Sequence, residues 1–237
     1  MQTSNFIGEL MGTLVLILLG NGVVANVVLK GSKGENGGWI VITAGWAFAV
    51  MSGIFVSQKF GSSAAHLNPA VTVAMAVKSG DWSNAGSFIL AQMIGAILGA
   101  TLVWITYLPH WQITDDEGTK AAAFFTAPAV RSPASNLITE AIGTMVLIIA
   151  SSTFYSEPTS GFGPVLVGFL VWSIGLSLGG PTGYAINPAR DLGPRLAHTI
   201  LPISGKGGSD WAYSWIPVAG PIIGAALAGL LLNYFGI

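Results

Sequence analysis

Six stretches of this chain run without a charged residue: Leu10–Leu29, Asn36–Gln58, Trp82–Thr114, Ala141–Ser156, Pro158–Ala189 and Trp211–Ile237. A helix needs about 20 consecutive apolar residues to cross the hydrocarbon core of a bilayer, and these stretches meet or approach that length. Only 8% of the 237 residues are charged and 52% are hydrophobic, against roughly 25% charged in soluble domains. Such a chain has too few polar groups to cover itself in water. Its natural solvent is lipid, and the pattern predicts spans over Phe6–Leu29, Trp39–Ser57, Asn84–Leu108, Asn136–Phe154, Gly163–Leu178 and Trp211–Phe235. The expected class is an all-α, multi-pass membrane protein. Trp39, Trp82, Trp104, Trp111, Trp211 and Trp215 fall near the proposed ends, where indole suits the headgroup layer. The first apolar run has no basic flank and is too long for a cleavable signal, so it reads as a retained span.

The same composition narrows function. Nine Lys and Arg against ten Asp and Glu, with no basic run, leave no footprint for nucleic acid. With no cysteine there is no disulfide or thiolate metal site. His66, His110 and His198 are not at ligand spacing, so neither metal nor cofactor is expected. No nucleophile and base pair is discernible, which argues against an enzyme.

The chain repeats. Glu9-Leu-Met-Gly12-Thr13-Leu-Val15-Leu16-Ile17 matches Glu140-Ala-Ile-Gly143-Thr144-Met-Val146-Leu147-Ile148 at six of nine positions. Asn68-Pro69-Ala70 recurs as Asn187-Pro188-Ala189, and Gly95–Ala100 recurs as Gly220–Ala225. The two glycine-containing patches suit close helix packing. One domain over residues 1–237 therefore divides into a first repeat, 6–108, a polar connecting loop, 109–135, and a second repeat, 136–235. Asp115, Asp116 and Glu117 are expected on a solvated face of that loop. Each repeat carries three spans, an odd number, so the second enters the membrane from the opposite side. Inverted repeats place a solute site near the midplane, commonly at broken helices.

The paired Asn-Pro-Ala segments are those broken helices. Asn suits an N-cap and Pro the first helical position, predicting half-helices over 68–77 and 187–199. Each spans about half of the membrane. Two helix N-termini meeting at the midplane would bring partial positive charge from both macrodipoles together and repel cations. Asn68 and Asn187 add amide donors for a passing water or hydroxyl.

These residues resemble the major intrinsic protein family, the aquaporins and glycerol facilitators. His66-Leu-Asn68-Pro69-Ala70-Val-Thr and Gly183-Tyr184-Ala-Ile-Asn187-Pro188-Ala189-Arg190-Asp191-Leu-Gly-Pro-Arg195 look like its two signatures, and the likeness extends over essentially the whole chain. The resemblance implies the aquaporin fold of six transmembrane helices plus two re-entrant half-helices, a homotetramer and a place in the cell membrane. Asp191, Arg195, Pro217 and Val218 match the glycerol-conducting branch. Carried over by position, the selectivity filter comprises Trp46, Gly175, Tyr184 and Arg190, with Phe48 as the alternative to Trp46. Gly175 is expected to leave room, the aromatics to take a carbon backbone, and Arg190 to donate to hydroxyls while repelling cations. Tyr184 departs from the Phe common in bacterial glycerol facilitators.

Glu9 and Glu140 lie inside spans, where an ionisable group is costly and is by default a functional hypothesis. As in the family, they are expected to brace the backbone before each half-helix; the alternative is a proton relay. His66 and Asp191 are expected to support the pore. The resemblance puts both termini inside, although the basic residues run against the positive-inside tendency. The expected function is passive passage of glycerol and water, extending to undissociated lactic acid, dihydroxyacetone, urea and hydrogen peroxide. The alternative is an ion- or proton-coupled transporter using Glu9 and Glu140.

Overall fold

The computed structural model describes residues 4–156 and 161–237, and the elements in it are helical. The first half contains α1 (Asn5–Val28), α2 (Gly38–Lys59), the short α3 (Pro69–Ser79) and α4 (Ala85–Thr106). The second contains α7 (Pro133–Ser156), α8 (Gly163–Leu178), the short α9 (Pro188–Ile200) and α10 (Ile216–Phe235). Among the described residues five helices are long and apolar enough to cross a membrane. The fifth span in chain order, α8, is shorter, with 16 residues, and reaches about 24 Å.

The span boundaries follow local chemistry. Ser4 caps α1 by accepting from the Ile7 N–H. The sixth span starts at Ile216 and not at Trp211, because residues 211–215 form turns after Asp210, whose φ is 42°. Pro217 then occupies the first turn of α10, where its missing N–H costs nothing. The fourth span starts earlier than expected, at Pro133 instead of Asn136, for the same reason.

Packing repeats across the halves. α1 lies against α2 and α4, and α7 against α8 and α10. The glycine-containing patches bring the backbones together. A Cβ on Gly95 would lie 2.3 Å from the Leu10 carbonyl oxygen, and one on Gly224 would lie 2.2 Å from that of Ala141. Each half-helix crosses over to the other half: α3 packs on α10, and α9 packs on α4. The two repeats are thereby locked into one body.

The connecting segment is more structured than an open loop. It forms α5 (Leu108–Ile113) and α6 (Glu117–Ala122) and buries Trp111, Phe124 and Phe125. Trp111 is 1% exposed and donates its indole N–H to the Trp104 carbonyl; it is a core residue and not a headgroup anchor. Asp115, Asp116 and Glu117 are exposed, as their charge requires. Asp116 caps α6 by accepting from the Thr119 N–H at 2.6 Å, and its bonds to Thr119 hold its carboxyl below the usual carboxylate range.

Candidate functional site

The two half-helices meet N-terminus to N-terminus, and the capping asparagines tie them together. Asn68 Oδ1 accepts from the Ala70 N–H at 2.8 Å, while its amide donates to the Ile186 carbonyl at 2.8 Å. Asn187 Oδ1 accepts from the Ala189 and Arg190 N–H groups, while its amide donates to the Leu67 carbonyl at 2.9 Å. Each amide thus spends one N–H on the opposite loop. One remains for the cavity that both asparagines line.

The observed half-helices run slightly past the expected ends. α3 continues to Ser79 and stops where Gly80 takes φ 73°, a left-handed C-cap that glycine adopts without strain. α9 ends at Ile200.

The chain approaching each half-helix is held in an unusual conformation. Ala65 (φ 43°) and Leu67 (φ 51°) precede α3; Tyr184 (φ 38°) and Ile186 (φ 43°) precede α9. Left-handed backbone is uncommon in residues bearing a Cβ and persists only where the surroundings over-determine it. The over-determination comes from the two buried glutamates. Glu9 accepts from the N–H groups of His66 and Leu67, each at 2.8 Å, and Glu140 from those of Ala185 at 3.0 Å and Ile186 at 2.8 Å.

Between the loops and an apolar wall of Val50, Ile54, Leu147, Val167 and Val171 runs a cavity of about 510 Å³. Trp46, Tyr184 and Arg190 line one end; Met75, Lys78 and Ser151 line the other. Lys78 lies ten residues along from Asn68, about 15 Å of helix away.

At the first end the Arg190 guanidinium sits 4.1 Å from the centroid of the Trp46 ring. Among the described residues nothing hydrogen-bonds this guanidinium, and its nitrogens are not sealed from the cavity. The stack orients the cation and leaves its donors free. Trp46 is 3% exposed and faces the cavity, whereas Phe48, the alternative, is 55% exposed on the outside of α2.

Gly175 behaves differently from the expectation that it leaves space for solute. A Cβ there would lie 2.8 Å from Tyr184 Cζ and 3.0 Å from its Oη. The phenol therefore occupies the space that Gly175 leaves. Trp39 closes the rear of this cluster, donating its indole N–H to the Gly175 carbonyl and meeting the Tyr184 ring edge-on at 5.8 Å.

Behind Arg190 lies a buried ionic network. Asp191 pairs with Arg195 at 2.8 Å and accepts from the Thr126 N–H and hydroxyl. Arg195 donates onward to the carbonyls of Thr126, Ser209 and Asp210 and stacks on Phe125 at 4.0 Å. Two segments of chain, at Phe125–Thr126 and at Ser209–Asp210, are fastened here to α9.

The family profile described as major intrinsic protein matches residues 2–232. The chain belongs to the major intrinsic protein family. Family membership makes it a multi-pass membrane channel and not an enzyme. A probable glycerol uptake facilitator protein of Thermotoga maritima is 57% identical over 233 residues, covering 98% of this chain and 99% of the relative. A glycerol uptake facilitator protein of Streptococcus pneumoniae is 54% identical, with 96% and 97% covered. Among solved structures, the aquaglyceroporin from Plasmodium falciparum superposes with a TM-score of 0.79 at 29% identity, covering 97% of this chain and 94% of that one.

Sequence reasoning overlooked several residues of this channel's support. Gln92 and Ser62 both donate to Glu9, each at 2.7 Å, and Thr72 bonds His66 Nδ1 at 3.1 Å. Gln92 carried a signal, as a lone amide inside an uncharged span. Thr126 carried none, because its partner is 65 residues away. Among the described residues no cluster could hold a metal ion.

Proposed function

We propose that this channel passes glycerol and similar small uncharged polyols passively, with water. The observation that carries the reading is the gate of Arg190, Trp46 and Tyr184. A guanidinium stacked on one aromatic face keeps its donors free beside a second aromatic ring. A polyol fits such a gate with its CH groups on the rings and its hydroxyl oxygens on the guanidinium. In this reading Trp46, Tyr184 and Arg190 form the selectivity filter, and Gly175 serves it by seating the Tyr184 phenol. The names of the relatives point to the same solute.

Ions are refused for three reasons in this reading. Arg190 stands at the constriction, two helix N-termini face each other at the centre, and the wall opposite is apolar. Undissociated lactic acid, dihydroxyacetone, urea and hydrogen peroxide are of a size and neutrality to follow glycerol. The assembly that accompanies the reading is a homotetramer with one pore in each chain, measurable as the mass of the detergent-solubilised particle.

Coupled transport through Glu9 and Glu140 is disfavoured by their surroundings. Both carboxylates are buried and bonded to backbone N–H groups, so moving a proton through either would disturb the strained approach to a half-helix.

Stopped-flow light scattering on proteoliposomes tests the proposal with glycerol, lactic acid and ions. Glycerol should equilibrate without accumulating, and lactic acid permeability should collapse between acidic and neutral pH as the acid ionises. Accumulation against a gradient, or undiminished lactate flux at neutral pH, overturns it. Arg190→Ala should raise cation leak.

A further inference from the structure

We infer that His66 is held in one tautomer, with its proton on Nδ1, so that Nε2 offers the channel a fixed hydrogen-bond acceptor on the Lys78 side of the asparagines. The inference rests on the proposed passage of hydroxyl-bearing solutes and adds a second recognition point, opposite in character to Arg190.

The argument begins at Glu9. Its two carboxylate oxygens receive four donors: the Ser62 hydroxyl, the N–H groups of His66 and Leu67, and the Gln92 amide nitrogen. Every neighbour donates, so Glu9 acts purely as an acceptor and fixes which end of the Gln92 amide faces it. The second N–H of Gln92 then points to Thr72 Oγ1, at 3.1 Å. Thr72 Oγ1 also lies 3.2 Å from the Asn68 carbonyl oxygen, which can only accept. The single hydroxyl proton of Thr72 goes to that carbonyl.

Thr72 is left with lone pairs only, and His66 Nδ1 sits 3.1 Å from its oxygen. A hydrogen bond there requires the proton on Nδ1. In the neutral ring Nε2 then carries a lone pair. Nε2 has no partner among the described residues, and unlike the Nε2 of His198 it is not sealed from solvent. His66 lines the cavity, with its ring braced edge-on against Phe88 at 5.1 Å.

Arg190 and the asparagine amides can only donate towards a solute. A hydroxyl that has offered its oxygen to Asn68 still has a proton to place, and the Nε2 lone pair receives it. His66 thereby holds a passing hydroxyl by its proton, which water and polyols possess and which a solute without a donor lacks.

Two measurements decide the matter, and they fail separately from the glycerol proposal. In lipid-reconstituted protein with ¹⁵N-labelled histidine, the resonances lost in His66→Asn should report a protonated Nδ1 and an unprotonated Nε2. A protonated Nε2 overturns the inference whether or not glycerol is conducted. In flux assays His66→Phe should lower the ratio of glycerol permeability to that of a small solute without a hydrogen-bond donor, such as dimethyl sulfoxide, about fivefold, the worth of one ordinary hydrogen bond. Thr72→Val, which deletes only the hydroxyl that locks the ring, should mix the two tautomers and lower the ratio less. A single unchanged tautomer in Thr72→Val, or an unchanged ratio in His66→Phe, overturns it.

Discussion

The two half-helix sites share a backbone and differ in charge. At a constant offset of 119 residues, Ala65, Leu67 and Asn68 correspond to Tyr184, Ile186 and Asn187, and both sets adopt the same left-handed and capping geometry. The same offset turns Val71 into Arg190, Thr72 into Asp191 and Ala76 into Arg195. The first site is supported by Glu9, Gln92, Thr72 and Ser62, with no cation bonded to it among the described residues. The second is supported by Glu140 and a buried ion pair that also fastens Thr126, Ser209 and Asp210. Symmetry is therefore imposed on the backbone and on the asparagines and glutamates that hold it. The solute-facing chemistry is free to differ, so the Arg190 guanidinium stands beside the second asparagine and the His66 imidazole beside the first.

The sharpest way to break this contrast is at the ion pair. Asp191→Ala leaves the Arg195 guanidinium buried without its partner and should cost about 3–5 kcal/mol, with glycerol flux lost, whereas Thr72→Ala should cost about 1 kcal/mol. Thermal unfolding in detergent reads both, and equal losses would show that the second site does not depend on its charge. Next come the glutamates. Glu9→Gln disrupts two of four accepted bonds and should cost about 3 kcal/mol, while Glu140→Gln, with two backbone partners, should cost about half as much. The reverse order would assign the heavier brace to the second half.

Gly175→Ala follows. Its Cβ meets Tyr184 Cζ at 2.8 Å, so it should cost about 1–3 kcal/mol by overpacking. Displacing the phenol should also change the glycerol-to-water permeability ratio, and an unchanged ratio would mean that the ring does not set the constriction. The smallest effect belongs to Arg131, whose pair with Asp210 lies at the surface. Arg131→Ala should shift the unfolding midpoint slightly at low salt and not at high salt. A salt-independent shift would join this rim contact to the buried network.

Much of this was readable along the chain because it is local or repeated. Uncharged runs mark the spans, as a charge inside lipid is costly wherever the chain goes. Asn-Pro marks a helix start by its own chemistry, and α3 and α9 begin at Pro69 and Pro188. The registers of Glu9 with Glu140 and Asn68 with Asn187 disclose the two halves. The small residues at Gly95–Ala100 and Gly220–Ala225 announce close packing, although not against which helix.

What the chain order could not disclose is how space is shared between distant residues. Gly175 reads as an opening, yet Tyr184 fills it, because a ring placed by the left-handed turn before α9 needs a neighbour without a Cβ. Trp111 reads as a membrane anchor by its position near a span end, yet the folding of α5 and α6 over the helices buries it. Asn68 and Asn187 read as free donors, yet each commits one N–H to the loop of the other half. The sequence by itself determined that there are membrane spans, two half-helices and an internal repeat, since hydropathy and capping act over a few residues. Only the tertiary structure decided which groups still face the channel, since a donor is free only after every neighbour brought near by folding has taken its share.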